Sequence, residues 1–314
     1  MSVYTRLTKE ELEYLLNEYD IGDLTDVEGI NEGITNSNFY LQTTKSKYIL
    51  TIFEEPNLNL DYAIKLMELL SIHQIPCPKP FKSKNNESIK KIQDKPVAIF
   101  SLLPGKTLSE ITPSLNMCDQ IGEVIAKIHV HASEFNENYS GSRDLDWFNK
   151  TYKKLHSKLD ENDREIIGKE LLNLSKKDFQ KLPSGVIHSD LFRDNTLFTN
   201  DKLTGVIDFY YACNGYLLYD LAIIINDWCL NEDKTINIER QKRIIKSYNK
   251  IRKIEQIEKE FWPEVLKHAA LRFWLSRLHD KYFPTDGEIT HILDPDEFKL
   301  IFLDRMMNKN SLII

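Results

Sequence analysis

The chain has 314 residues, with 41 Lys and Arg against 48 Asp and Glu, for a formal charge of −7 and a sequence pI near 5.7. That acidic balance argues against a dedicated phosphate-backbone binder, which carries a basic excess. Hydrophobic residues at 41% and charged residues at 28% exclude collagen-like, coiled-coil and disordered chains. The length suits about two domains of roughly 150 residues, large enough to bury a core without staples. Cys77, Cys118, Cys213 and Cys229 form no C-x-x-C pair, so reduced buried thiols are expected rather than a zinc site or a disulfide framework. The opening MSVYTRLTKEELEYLL turns acidic and amphipathic where a signal peptide would turn apolar. The longest apolar stretch, residues 217–225, is broken by Asp220 and is far shorter than the ~20 residues of a membrane span. A cytoplasmic protein without nucleic-acid or membrane partners is expected.

In chain order, Thr8 and Glu11 give the pattern of a capping box ahead of Leu12, Leu15 and Leu16, which predicts a short opening helix. Residues 30–39 carry Gly33 within a polar run, and 39–41 and 48–53 read as strands of an antiparallel meander around the turn 43–47. Ile64, Met67 and Leu70 recur at helical spacing in 61–73, and Pro76, Pro78 and Pro80 end that helix before a second hairpin over 80–100. After Pro104-Gly105 the period becomes 3.6, beginning with 115–131. The reading is an α+β chain with a β-rich lobe over 1–103 and a mainly α-helical lobe over 104–314. The charged stretch 151–181 reads as a solvated helical outer layer.

Chemistry concentrates in His188-Ser-Asp190-Leu-Phe-Arg193-Asp194-Asn195, spaced H-x-D-x-x-x-x-N, followed by Asp208 in an apolar strand. Two short strands, 196–199 and 203–208, flank an Asn200-Asp201 turn signal. Folding about residue 201 sets Asn195 opposite Ile207, with Asp208 beside it at the mouth of the hairpin and Asp190 on the loop just before. An amide oxygen and a carboxylate, without a nearby His or Cys pair, suit Mg²⁺ and disfavour zinc. Asp190 is then the group that orients a hydroxyl or accepts its proton. Acidic residues within apolar strands need such a reason, because a buried unpaired charge costs several kcal/mol. His188 reads as a hydrogen-bonded scaffold of the loop.

These residues resemble the aminoglycoside phosphotransferase and choline kinase superfamily, the small-molecule branch of the bilobal protein-kinase-like fold. Within it, the runs SVYTRLTKEEL, GITNSNFYL, VIHSDLFRDNTLF, GVIDFYYACNGYLLYDLAIIINDWC and ALRFWLSRL are most similar to the homoserine kinase branch. The resemblance implies transfer of the ATP γ-phosphate to L-homoserine, with Asp190 as catalytic aspartate and Asn195 and Asp208 on Mg²⁺. It also implies that the loop 31–38, with Gly33, Asn36 and Ser37, covers the nucleotide, and that Ser101 and Leu103 lie on the segment beside adenine. Where such kinases carry a strand lysine for the α- and β-phosphates, the matching position here is Thr51. Lys45 or Lys47 are alternatives, and Glu68 is the candidate helix partner.

Homoserine is a zwitterion with a primary alcohol, so its pocket should offer a cation to the carboxylate and an anion to the ammonium. Arg193, Arg272 and Arg277 are candidates for the first, since arginine binds carboxylates bidentately. Along the helix whose apolar stripe is Leu271, Trp274, Leu275 and Leu278, Arg272 and Arg277 fall on opposite sides, so one of them is expected at the rim. Asp227 is the candidate for the ammonium. Asp220 reads as a scaffold acceptor for the catalytic loop. Another hydroxylated acceptor (choline, an aminoglycoside, a methylthio sugar or a different hydroxy amino acid) and a non-catalytic nucleotide-binding module are the alternatives.

Overall fold

The computed structural model describes residues 5–30, 36–55, 58–108, 111–284 and 293–308. Spatial proximity of Cα atoms divides the chain into two compact units, one of Met1–Pro104 and one that begins at Gly105. The first opens with α1 (Lys9–Leu16), closed at its N-terminus by the expected reciprocal bonds between Thr8 and Glu11. The strands β1 (Leu24–Ile30), β2 (Ser37–Thr43) and β3 (Lys47–Ile52) run as an antiparallel meander. Then come α2 (Leu60–Ile72), β4 (Lys90–Ile92) and β5 (Lys95–Ser101), and β5 inserts beside β3 to give the order β1-β2-β3-β5-β4. The second hairpin is therefore shorter than 80–100, and Pro80 makes only an isolated bridge to Phe100. Central β3 and β5 are almost continuously buried. The edge strand β1 has no alternation, with four consecutive exposed residues from Thr25 to Glu28, which is why periodicity does not announce it. Leu12, Leu15 and Leu16 of α1 close over Phe39, Leu41, Leu50, Ile52, Val97 and Ile99 to make the core.

In the second unit, β6 (Lys106–Thr107) leads to α3 (Leu115–His131). The stretch 151–181 is helical as expected but holds the end of α4 (Leu145–Leu155) and the whole of α5 (Glu161–Leu174), which Asp144 and Asp160 cap as separate helices. There follow β7 (Ser184–Ile187), the hairpin β8 (Thr196–Thr199) and β9 (Lys202–Val206), and β10 (Cys213–Tyr216). The helices α6 (Leu218–Trp228), α7 (Ile238–Ile251), α8 (Gln256–Tyr282) and α9 (Pro295–Met307) complete the described chain. Strand β10 pairs with β7, and β6 adds to the β8–β9 hairpin. Asn200 and Asp201 both take positive φ, 48° and 64°, the left-handed pair that a two-residue hairpin turn demands. The tip is tied down by Asp201, which accepts from Ser114 Oγ at 2.7 Å and Asn116 Nδ2 at 2.8 Å at the start of α3. Among the described residues no helix is long and apolar enough to cross a membrane.

Helices α3 and α7 meet at Gly122, where an added Cβ would run into the backbone carbonyl of Ile244. Gly122→Ala therefore has to push the two helices apart, which costs about 1–3 kcal/mol as overpacking. Chemical denaturation should register that loss, while an unchanged midpoint would show that the helices yield freely.

Candidate active site

The loop of interest, residues 188–195, leaves β7 and enters β8 through a short 3₁₀ turn, Arg193–Asn195. Pairing of Thr196 with Val206 and a bond from Ile207 N–H to the Asn195 carbonyl at 3.0 Å set Asn195 against Ile207, as the turn arithmetic expects. Asp208 itself lies just past β9 rather than within it. Its φ of 64° is left-handed and turns the chain into the 3₁₀ segment Phe209–Tyr211. The strand ends because the backbone cannot hold β pairing and that left-handed turn at one residue.

One buried carboxylate anchors this loop. Asp220, fully buried on the first turn of α6, accepts from the backbone N–H of His188 at 2.7 Å and of Ser189 at 2.8 Å. Ser189 has φ 68°, and a non-glycine residue there costs about 1–3 kcal/mol. Its left-handed conformation makes successive N–H groups converge on one anion. Each charge-assisted bond returns about 1.5–3 kcal/mol, so the pair outweighs the strain. A third bond joins Asp220 Oδ2 to His129 Nε2 at 3.1 Å, and His129 Nδ1 meets the Tyr248 hydroxyl at 2.8 Å. Arg252 donates to that hydroxyl oxygen at 3.1 Å and grips Glu258 through two bonds. Because arginine only donates, the Tyr248 hydroxyl oxygen accepts from Arg252, and because the Asp220 carboxylate only accepts, His129 Nε2–H is the donor to it.

His188 is buried within the loop and bridges its two sides. Its Nδ1 accepts from the Asp190 N–H at 3.3 Å, so Nε2 carries the proton given to the Ile207 carbonyl at 2.9 Å. Burial holds its pKa below the ordinary histidine value, against the opposing pull of Asp220. The Asp190 carboxylate is held from two directions. Arg272 Nη1 donates to Oδ1 at 3.1 Å, and Asn195 Nδ2 approaches Oδ2 at 3.4 Å while bonding the Asp190 carbonyl at 2.8 Å. The Asn195 amide thereby donates toward the loop, leaving Oδ1 as its acceptor end.

Two of the sequence-derived substrate candidates meet each other instead. Arg193 Nε lies 3.1 Å from both Asp227 oxygens, its Nη2 lies 3.0 Å from Oδ1, and its backbone N–H donates to Oδ2 at 2.8 Å. Asp227 lies near the C-terminal end of α6, where a carboxylate is unfavourable without such a partner. Although burial works against its charge, the Asp227 carboxylate pushes the Arg193 pKa above its ordinary value. Arg277 is drawn to α9, donating to Glu297 at 2.8 Å and to the Asp294 carbonyl at 3.0 Å. Of the three arginines, Arg272 alone touches Asp190.

In the first unit, Gly33 lies outside the described residues. The Asn36 side-chain oxygen accepts from the Glu54 N–H at 3.4 Å, and Ser37 Oγ donates to the Glu54 carboxylate at 2.6 Å, so both knit the base of their loop to the end of β3. Ser101 pairs with Tyr48 and brackets Lys79 through backbone and Oγ. Leu103 follows β5, partly exposed. Thr51 is buried and donates to Asn38 at 2.7 Å, Lys45 is held by Asp20, Lys47 is exposed, and Glu68 pairs with Lys82 at 3.0 Å.

A model of the phosphotransferase enzyme family matches residues 26–254. The chain belongs to this family. Relatives named homoserine kinase are similar to it along almost its whole length. That of Methylobacillus flagellatus is 42% identical over 302 residues, 96% of this chain and 94% of the relative. The one from Methylobacillus glycogenes is 38% identical, covering 100% and 98%, and the one from Neisseria meningitidis 34%, covering 96% and 99%. Among solved structures, an amicoumacin kinase in complex with AMP-PNP and Ca²⁺ matches at a TM-score of 0.71 and 14% identity, over 98% of this chain and 95% of that one. A spectinomycin phosphotransferase in complex with ADP and spectinomycin also matches at 0.71, with 12% identity over 97% and 99%. At those identities the likeness is one of fold, and it bears out the bilobal protein-kinase-like fold that the family resemblance implies.

Within this phosphotransferase, residues that the sequence reading passed over are His129, Tyr248 and the left-handed Ser189. His129 had a signal, because it continues the apolar face of Ile121, Ile125 and Ile128 in α3. A histidine on such a face needs a polar partner. His268, one turn before Arg272, shares a hydrogen bond with the Tyr216 hydroxyl through Nδ1, and burial pushes its pKa down from 6.5 to about 3. Across that window the unfolded chain binds a proton that the folded chain refuses, so stability falls as pH drops from 6.5 toward 3. Glutamine can donate to or accept from Tyr216 without titrating. His268→Gln should therefore flatten the decline of Tm between pH 6.5 and about 4, and an unaltered slope would remove His268 from the acid response.

Proposed function

We propose that the protein transfers the γ-phosphoryl group of ATP to the side-chain hydroxyl of L-homoserine. The observation that carries this reading is the end-to-end match to homoserine kinases of three bacteria at 34–42% identity. A cytoplasmic enzyme of amino-acid biosynthesis fits that chemistry. Asp190 is the catalytic aspartate. Held by Arg272 and Asn195, its carboxylate orients the acceptor hydroxyl and takes its proton as the phosphoryl group moves. In a loose transition state the proton leaves late, so the first task of Asp190 is geometry.

Asn195 and Asp208 are the residues that would hold Mg²⁺. The donor set fits: an amide oxygen and a carboxylate are both hard oxygen ligands, and the backbone bond from Ile207 to Asn195 supports the pairing of Asn195 with the residue that follows Ile207. A bound ion supplies neutralisation of charge on the β- and γ-phosphates. Asn36 and Ser37 belong to the loop read as covering the nucleotide, and Ser101 and Leu103 to the segment read as lying beside adenine. Preorganised donors and a fixed aspartate account for most of the acceleration.

The test is ADP release with MgATP across L-homoserine, choline, an aminoglycoside and a methylthio sugar. L-Homoserine should exceed every other acceptor in kcat/KM, and a strong preference for any other one would replace it. In the same assay Asp190→Asn should lower kcat by about 10²–10⁴-fold, the range of a general base, with ATP affinity nearly unchanged.

A further inference from the structure

We infer that Arg272 reads the α-carboxylate of the acceptor and thereby restricts the site to hydroxy amino acids. The inference rests on the homoserine reading and adds the residue that enforces it. Arg272 is 3% exposed, and a guanidinium so buried needs compensating acceptors. Its one hydrogen bond among the described residues runs from Nη1 to Asp190 Oδ1 at 3.1 Å. Nε is buried, and neither it nor Nη2 donates to any described residue. Those two N–H groups form the side-on edge of the guanidinium, a parallel fork that matches the two oxygens of a carboxylate. A buried donor left unpaired is a cost that a ligand removes on binding.

The same planar group thus faces two carboxylates. One, from Asp190, takes the acceptor hydroxyl, and the other is supplied by the acceptor. Hydroxyl and carboxylate must then reach opposite sides of one guanidinium, which suits a short amino acid and excludes acceptors lacking an anion. Arg193 and Arg277, the other candidates, are engaged by Asp227 and Glu297. Phe273 places its ring centroid 3.8 Å from the Arg272 guanidinium carbon, which further fixes the plane.

The experiment compares L-homoserine with 3-amino-1-propanol, the same skeleton with the carboxylate replaced by hydrogen, in wild-type enzyme, Arg272→Lys and Arg272→Gln. Wild type should favour L-homoserine in kcat/KM, and both variants should shrink that ratio by roughly 10- to 100-fold, the value of a charge-assisted fork. A loss of folding or of Asp190 alignment would depress both acceptors equally and leave the ratio intact, so the ratio isolates carboxylate recognition. Equal use of the two acceptors by wild type overturns the inference without any variant. Retention of the wild-type ratio in either substituted enzyme overturns it as well. Failure of wild type to phosphorylate L-homoserine at all would instead remove the homoserine reading.

Discussion

The buried carboxylate of Asp220, closed over two successive backbone N–H groups, is the constraint on which the catalytic loop depends. Without it, the left-handed Ser189 has no reason to persist, since a serine gains nothing from that conformation alone. With it, the chain reverses sharply after β7 and delivers Asp190 outward while His188 points inward. The carboxylate is itself held by His129, which Tyr248 and Arg252 orient from α7. Hydrogen bonds link Arg252 to Tyr248, Tyr248 to His129 and His129 to Asp220 in one continuous buried series. Buried polar networks of this kind stabilise a unique arrangement only when complete.

From that anchor the chemistry follows by short steps. His188 ties the loop to Ile207, and Ile207 precedes Asp208. Asn195 binds the Asp190 carbonyl by its side chain and Ile207 by its backbone, so one residue sets the spacing between the aspartate and the hairpin mouth. The Arg193–Asp227 pair clamps the same loop to the far end of α6. A single helix thus grips the loop at two places, through Asp220 in its first turn and Asp227 near its last. Rigid attachment matters because a displacement of about 1 Å at the reacting atoms can cost 10²-fold in rate.

Much of this was legible from residues close together in sequence. The Thr8–Glu11 cap, the Asn200-Asp201 turn and the placement of Asn195 against Ile207 are local, and local pattern suffices for them. Asp220 stood out because an acid inside an apolar helix needs an internal partner. The strands β1, β6, β7 and β10 were missed, because β1 lacks alternation and the other three are short segments that exist through pairing with distant chain. Contacts across long sequence separations were equally hidden. Arg193 and Asp227 looked like independent substrate ligands, and only folding reveals that each answers the other's charge across 34 residues. The helical wheel separated Arg272 from Arg277 but gave no means to decide which faced inward. That was settled by α9, a helix the sequence reading did not single out, whose Glu297 draws Arg277 away.

The most direct test of the anchoring role of Asp220 is amide hydrogen exchange at His188 and Ser189, compared between the wild-type chain and Asp220→Asn. The two amides should be among the protected ones in the wild type, because both are buried in charge-assisted bonds. In Asp220→Asn they should exchange orders of magnitude faster while amides in the middle of α8 keep their protection. Unchanged protection at His188 and Ser189 in that variant would mean that the loop holds its shape by other means, and the account of how Asp190 is positioned would fail.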